Sequence, residues 1–117
     1  MEKKLLGKTG LSMTRLAYGA MELGHVSESA AAALLNRVLD EGINYIDTSP
    51  EYANSEHFIG KAISHRRDEY ILATKCCDNM RGNGPLYTFD RRTVLENVEE
   101  SLRLLKTGSV QNKDIMI

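Results

Sequence analysis

The sequence predicts an α/β fold in which parallel strands alternate with amphipathic helices. Three observations predict it: apolar strand patterns end directly on charged residues, helical stripes separate successive strands, and two such strand ends lie 75 − 47 = 28 positions apart. Strands that alternate with helices imply a parallel sheet with right-handed crossovers. On this pattern alone, a (β/α)8 barrel and a doubly wound open sheet both fit.

A hairpin is predicted at the start of the chain, over residues 3–12. Two short apolar–polar alternations flank Lys8, Thr9 and Gly10, and a glycine suits a turn position that needs a positive φ. We expect this hairpin to cap the fold rather than to join the central sheet. Residues 15–117 are expected to form the βα units of the same single domain, which spans residues 1–117.

Apolar runs predict four strands, at residues 15–19, 43–47, 70–75 and 114–117. Residues 70–75 show no polar alternation before the final lysine, which is typical of a strand buried on both faces. The loop after the first strand keeps only the outer glycines, Gly19 and Gly24, of a G-x-G-x-x-G phosphate loop. This departure weakens the prediction of a dinucleotide-binding open sheet.

Apolar residues that recur at intervals of three and four predict three helices. The predicted limits are Ser27 or Ser29 to Gly42, Ser55 to about His65, and Thr88 or Asp90 to Gly108. Leu34 in the first helix and Leu95 in the third are assigned to the buried faces. Residues 66–69 are predicted to be an exposed connection without a further role, and residues 76–87 to be a long irregular loop.

The composition is that of an ordinary globular chain. Of 117 residues, 42% are hydrophobic and 26% are charged, and 15 basic against 16 acidic residues give a net charge of −1. This balance does not favour nucleic acid or an anionic membrane as a partner. No apolar run approaches the roughly 20 residues that span a bilayer, and the first residues lack the apolar core of a signal peptide. Cys76 and Cys77 are adjacent and would make a strained disulfide, so we expect two reduced thiols in the cytoplasm.

Two charged side chains and a phenol are predicted to meet at one edge of the sheet. Asp47 and Lys75 end successive strands, and neighbouring parallel strands lie about 4.8 Å apart, so the carboxylate and the ammonium can touch. Tyr52, on the loop between them, can hydrogen-bond to Lys75. Because a nearby ammonium stabilises a phenolate, a tyrosine placed there is a usable general acid toward a carbonyl oxygen. No side chain donates hydride, so a nicotinamide cofactor would have to supply it.

The run DTSPEYANSE at residues 47–56 resembles the aldo-keto reductase signature D-T-A-x-x-Y-G-x-S-E, with Ser49 and Ala53 in place of its alanine and glycine. Residues 6–11 are similar to the N-terminal hairpin of many members, and residues 15–21 to their first barrel strand. Residues 71–75 look like the strand that carries their catalytic lysine. The resemblance covers essentially the whole chain. It implies a partial (β/α)8 TIM barrel made of the N-terminal hairpin, about four parallel strands and three helices.

The resemblance also implies an NADP-dependent oxidoreductase that reduces aldehyde and ketone carbonyls with NADPH. By position, it implies that Tyr52 donates the proton, that Lys75 tunes Tyr52 and that Asp47 orients Lys75. The residues implied to bind the cofactor are Gly19, Ala20, Met21 and Asp47. No metal is expected, and the expected partner is a small carbonyl substrate.

Members of this family are much longer than 117 residues. The resemblance therefore implies a truncated reductase that supplies about the first half of the barrel, without the histidine that follows the fourth strand. It would also lack the late segments that grip the cofactor, so we expect little activity from the chain alone. The alternative is a catalytically silent half-barrel that associates with itself or with another chain through its open sheet edges. A flavodoxin-like domain is disfavoured because its phosphate loop is missing.

Overall fold

The computed structural model describes residues 1–78, 87–107 and 115–116. The strands are β1 (Lys3–Leu5), β2 (Ser12–Thr14), β3 (Tyr18–Gly19), β4 (Tyr45–Asp47), β5 (Ile71–Ala73) and β6 (Ile115–Met116). The helices are α1 (Glu28–Asp40), α2 (Ser55–Ile63) and α3 (Arg91–Leu105), with short 3-10 helices at Glu22–His25 and Ser64–Glu69. β1 and β2 form an antiparallel sheet, and β3 to β6 form a parallel sheet in chain order. The predicted fold class, a partial barrel of four parallel strands and three helices behind a hairpin, is confirmed; within the described residues the sheet is not closed.

The hairpin lies at the amino end of the parallel sheet and forms a sheet of its own, as predicted. Gly7 and Gly10 have φ values of +53° and +78°, which a residue with a side chain adopts only at a cost. The second strand continues to Thr14, two residues beyond the predicted limit. The Thr14 N–H donates to the Asn44 Oδ1 at 2.7 Å, and the Asn44 N–H donates to the Thr14 hydroxyl at 3.1 Å. Because Asn44 directly precedes β4, these bonds join the hairpin to the amino end of the parallel sheet.

The strands β3 and β4 begin later than predicted because other elements take hydrogen bonds of the residues that precede them. The Arg15 N–H donates to the Glu2 carbonyl in the hairpin, and the Thr14 hydroxyl donates to the Leu16 carbonyl. The Ile43 N–H donates to the Val38 carbonyl at the end of α1. Pairing in the sheet therefore begins only at Tyr18 and Tyr45.

Two of the three helices are capped by the predicted side chains. The Ser27 hydroxyl accepts the Ala30 N–H at the start of α1, and Gly42 at φ +88° follows its end. The Asp90 carboxylate accepts the Thr93 N–H at the start of α3. A left-handed Lys106 ends α3, while Gly108, the predicted terminator, lies outside the described residues, as do 79–86 of the predicted loop and the outer residues of the predicted fourth strand.

The prediction that Ser55 caps α2 is wrong. Asn54 occupies the cap position without a side-chain cap bond, and Ser55 is the first helical residue, fully buried. Leu34 and Leu95 were also misassigned, since they are 41% and 46% exposed. Each lies at the margin of its helix's apolar stripe, which is wider than the strip that contacts the rest of the protein.

The core lies between the parallel sheet and the helices, and its buried residues come from every layer. They are Ala20, Leu23, Ala31, Leu35, Leu39, Ile46, Phe58, Ile59, Ile63, Tyr70, Leu72 and Leu105. α2 packs between α1 and α3. At Gly60 an added Cβ would lie 1.8 Å from the Leu104 carbonyl oxygen, so glycine permits the close approach of α2 and α3. No helix in the described part of the chain is long and apolar enough to cross a membrane.

Residues 66–69, predicted to be an exposed connection without a role, instead link α1 to β5. The Arg66 side chain is only 18% exposed and makes ion pairs with Asp40 and Glu69 at 2.9 and 2.8 Å. Arg67 donates to the Tyr70 carbonyl at 2.7 Å, and its guanidinium lies over the Tyr70 ring. The prediction failed because Asp40 and Thr107, a partner of Arg66 and a partner of Arg67, lie far along the chain and reach the arginines only in the folded protein.

Candidate active site

The carboxyl ends of β4 and β5 bring Asp47 and Lys75 into contact. Asp47 pairs in register with Ala73, two residues before Lys75. The Lys75 Nζ donates to the Asp47 Oδ2 at 3.0 Å and to the Thr48 carbonyl at 2.8 Å. The ladder continues one residue past the end of β4, since the Thr48 N–H donates to the Ala73 carbonyl. The lysine is therefore held by a side chain and by the backbone of the neighbouring strand.

Tyr52 lies against the same ammonium. The Lys75 Nζ lies 4.9 Å from the centroid of the Tyr52 ring, which is within the range of a cation–π contact. The sequence predicted a hydrogen bond between the phenol and this lysine; besides the contact with the ring face, a side-chain hydrogen bond with Tyr52 contributes to the raised pKa of Lys75. We call Asp47, Tyr52 and Lys75 the polar rim.

The polar rim keeps its lysine charged. Partial burial disfavours the ammonium, but the contacts with Asp47 and Tyr52 outweigh burial and raise the pKa of Lys75 above its ordinary value. The Lys75 and Asp47 side chains are 44% and 41% exposed. An ion pair this exposed contributes only about 0–1 kcal/mol to folding, so the pair contributes more to the arrangement of the rim than to stability.

The loop that carries Tyr52 is held by a turn and by a close contact with the first 3-10 helix. The Tyr52 N–H donates to the Ser49 carbonyl at 3.1 Å, and the Ser55 N–H donates to the Tyr52 carbonyl at 2.9 Å. At Gly24 an added Cβ would lie 2.1 Å from the Tyr52 carbonyl oxygen. Gly24 thus lets the 3-10 helix pack directly on the tyrosine loop. The one feature of the sequence that singles out Gly24 is its place as the last glycine of the incomplete G-x-G-x-x-G pattern.

Ala53 has a left-handed backbone, with φ of +47°. Residues with a Cβ adopt this conformation at a cost of roughly 1–2 kcal/mol, whereas glycine adopts it freely. Position 53 is where the signature quoted above has glycine. The backbone conformation gives the physical reason for a glycine there, and it marks Ala53 as a locally strained residue of this chain.

The predicted cofactor residues divide into exposed and buried positions. Gly19 pairs in register with Asp47, is exposed, and has open space where a Cβ would lie. Met21 is 53% exposed on the same loop. Ala20 is different, because it is fully buried in the hydrophobic core and so does not face the open side of the loop. Its N–H donates to the Asp47 carbonyl at 2.8 Å, which fixes the loop to β4.

The two cysteines follow Lys75 directly and are half-buried thiols, with sulfur atoms 3.5 Å apart. Burial, followed by the contact with Cys77, raises the pKa of the Cys76 thiol, which disfavours a reactive thiolate. Within residues 1–78, 87–107 and 115–116, no cluster of three or more histidine, cysteine or acidic side chains is arranged to hold a metal ion.

The partial parallel barrel carries an acid and a lysine at its strand ends and a tyrosine on the loop between them. This arrangement is typical of the family that the sequence resembles, and the comparison with known sequences agrees. Residues 15–112 match the profile of the Aldo/keto reductase family, and the chain belongs to that family. It is 34% identical to the aldo-keto reductase YhdN of Bacillus subtilis and 36% identical to the L-galactose dehydrogenase of Arabidopsis thaliana. Each match covers 94% of this chain.

The solved structures give the same result. The aldo-keto reductase AKR11C1 of Bacillus halodurans, in its holo form, superposes with a TM-score of 0.80 and 33% identity over 96% of this chain. The chain spans 36% of the length of the two relatives named above and 42% of that crystallised chain. The family predicted from the residues is therefore confirmed.

Proposed function

We propose that this chain provides the proton-donating part of an NADP-dependent reductase active site for aldehydes and ketones. One observation carries the proposal: the Lys75 ammonium contacts both the Asp47 carboxylate and the Tyr52 ring at the carboxyl end of the parallel strands. Active sites of parallel α/β barrels lie at that end of the strands.

Tyr52 is the proposed proton donor. When the carbonyl carbon accepts hydride, negative charge develops on the carbonyl oxygen, which takes the proton of the Tyr52 hydroxyl to give an alcohol. The remaining phenolate lies beside a positive charge, because the contacts of Lys75 raise its pKa and keep it an ammonium at neutral pH. Asp47 holds that ammonium in place through the 3.0 Å hydrogen bond.

The loop after β3 fits a flat nicotinamide ring. Gly19 presents no side chain and has open space around it, and Met21 offers an exposed apolar side chain on the same loop. In this proposal Gly19 and Met21 lie against the ring of NADPH, and Asp47 borders it. Bound there, the reduced nicotinamide would supply the hydride. Two reduced cysteines are consistent with a cytoplasmic setting for such an enzyme.

The test compares two tyrosine-to-phenylalanine variants of the native protein in NADPH consumption with a panel of aldehydes. Tyr52→Phe should lower the rate by about 10²- to 10⁴-fold, since that is the range that a positioned general acid contributes. Tyr87→Phe is the control, because the Tyr87 hydroxyl is exposed and bonds to Glu51 outside the polar rim. Equal rates in the wild type and in Tyr52→Phe would remove Tyr52 as the proton donor.

A second candidate function is assembly without catalysis, and the sheet edges favour it. Among the described residues, β3 and β6 each pair with only one neighbouring strand. Unpaired edges promote association with another strand. Size-exclusion chromatography separates the candidates: a stable self-association together with no measurable NADPH binding would support assembly, and NADPH binding with turnover would reject it.

A further inference from the structure

The first turn of α2 is tied by buried side chains to the ends of β3 and β4. The Ser55 hydroxyl donates to the Ala20 carbonyl at 2.9 Å and lies 2.8 Å from the Thr48 hydroxyl. All three residues are fully buried. Ala20 follows the last residue of β3, and Thr48 follows the last residue of β4. One serine therefore fixes the spacing of two strand ends.

The next residue of the same turn is tied to β5 and α3. The Glu56 side chain is 2% exposed; its Oε2 accepts the Thr74 hydroxyl at 2.8 Å and its Oε1 accepts the Ser101 hydroxyl at 3.2 Å. Thr74 and Ser101 are buried as well. The carboxylate lies in the first turn of α2, where the helix dipole favours a negative charge.

Two of the buried partners are sequence neighbours of residues in the polar rim. Thr74 precedes Lys75, and Thr48 follows Asp47. Thr48 and Thr74 are buried against Ser55 and Glu56 of α2, whereas the Asp47 and Lys75 side chains are exposed in the polar rim. The Thr48 carbonyl also accepts from the Lys75 Nζ. A shift of either threonine therefore moves a donor or an acceptor of the rim.

We propose that Ser55 and Glu56 are positioning residues that hold Asp47 and Lys75 in contact by fixing Thr48 and Thr74. The expected effect on the reductase rate rests on the proposed function, whereas the expected effect on the Asp47–Lys75 contact does not. The Asp47–Lys75 pair is too exposed to hold two strand ends together by itself. The hydrogen bonds of the buried Glu56 side chain are the stronger constraint, because a hydrogen bond shielded from water is electrostatically stronger than an exposed one.

The test measures the pKa of Lys75 by NMR in protein labelled with ¹³C and ¹⁵N lysine. Thr74→Val removes the bond to Glu56 while keeping the shape of the side chain, and it should shift the Lys75 pKa down toward its ordinary value. Thr74→Ser restores a hydroxyl and should restore the pKa. Of the described residues, the titratable groups that act on Lys75 are Asp47, Tyr52 and Tyr45, and none of them is changed.

Ser101→Ala is the matched control, because it removes a different hydrogen bond of the same carboxylate without touching β5. It should lower the melting temperature and leave the Lys75 pKa at its wild-type value. In the reductase assay, Thr74→Val should lower kcat roughly 10- to 100-fold, in line with a small displacement of a catalytic group, and Ser101→Ala should not.

The proposal is overturned if Thr74→Val and Ser101→Ala lower the melting temperature alike while neither shifts the Lys75 pKa. If Thr74→Val does not fold, Glu56→Met keeps a similar length but has no oxygen to accept the Thr74 hydroxyl, and an unchanged Lys75 pKa in that folded variant is equally decisive. A native protein without reductase activity in which Thr74→Val still shifts the Lys75 pKa would refute the proposed reaction and keep the positioning role.

Discussion

Two layers at the carboxyl end of the sheet differ sharply in burial although consecutive residues build them. In the polar rim, the side chains of Lys75 and Asp47 are 44% and 41% exposed. In the layer beneath, Thr74 and Glu56 are 4% and 2% exposed. The exposed charges are open to a substrate but contribute little to folding, whereas the buried bonds contribute to folding and fix where the exposed charges lie. In the proposed function, the end of β5 would supply a catalytic residue, Lys75, directly after a positioning residue, Thr74.

The largest expected effect separates activity from stability in the polar rim. Lys75→Met should lower the reductase rate of the native protein by about 10²-fold or more, since the charge that stabilises the phenolate is lost. The free energy of unfolding in urea should change by at most about 1 kcal/mol, because the pair is exposed. Lys61→Met is the control: it removes an exposed ion pair between Lys61 on α2 and Glu28 on α1, and it should keep the wild-type rate. A Lys75→Met protein with the wild-type rate would contradict the assignment of catalysis to the exposed charges of the polar rim.

A smaller effect is expected at another buried contact, the one between Gly24 and the loop that carries Tyr52. Gly24→Ala should lower the free energy of unfolding by about 1–3 kcal/mol, the usual cost of overpacking, because the new methyl group meets the Tyr52 carbonyl oxygen. Gly19→Ala is the matched control for stability, since nothing lies within 4 Å of an added Cβ there. Urea unfolding of both variants decides the matter: equal stabilities would show that the close contact at Gly24 is not maintained in solution.

The smallest expected effect is a gain in stability on the exposed loop. Ala53→Gly should raise the free energy of unfolding by about 0.5–1 kcal/mol, because glycine adopts the left-handed φ of +47° without strain. Ala33→Gly, in the exposed middle of α1, should lower it by about 1 kcal/mol, since glycine is the poorer helix former. Thermal unfolding that gives both substitutions the same sign would contradict the assignment of strain to Ala53.

The sequence was sufficient for the polar rim because its residues follow strand patterns that can be recognised locally. Asp47 and Lys75 each end an apolar run, and Tyr52 is on the loop between them, so their meeting required only parallel neighbouring strands. Strand limits were predicted less well. The Arg15 N–H bonds to Glu2 and the Asn44 N–H to Thr14, and these partners in the hairpin lie far from them along the chain.

The buried layer could not be predicted from the sequence in the same way. Glu56 reads as a favourable first-turn acid, and its bonds to Thr74 and Ser101 span 18 and 45 positions. Ser55 fits the pattern of a helix cap, but the fold buries its hydroxyl against β3 and β4. Ala20 was predicted beside the cofactor with its neighbours, and packing buries its side chain in the hydrophobic core. Each of these outcomes depends on packing between elements.

The most direct test of the central claim is a crystal structure of the native protein with NADP and a carbonyl-containing inhibitor. The account predicts the Tyr52 hydroxyl within about 2.6–3.2 Å of the inhibitor's carbonyl oxygen, with Lys75 still bonded to Asp47. A carbonyl oxygen bound by another side chain, beyond hydrogen-bond reach of Tyr52, would contradict it.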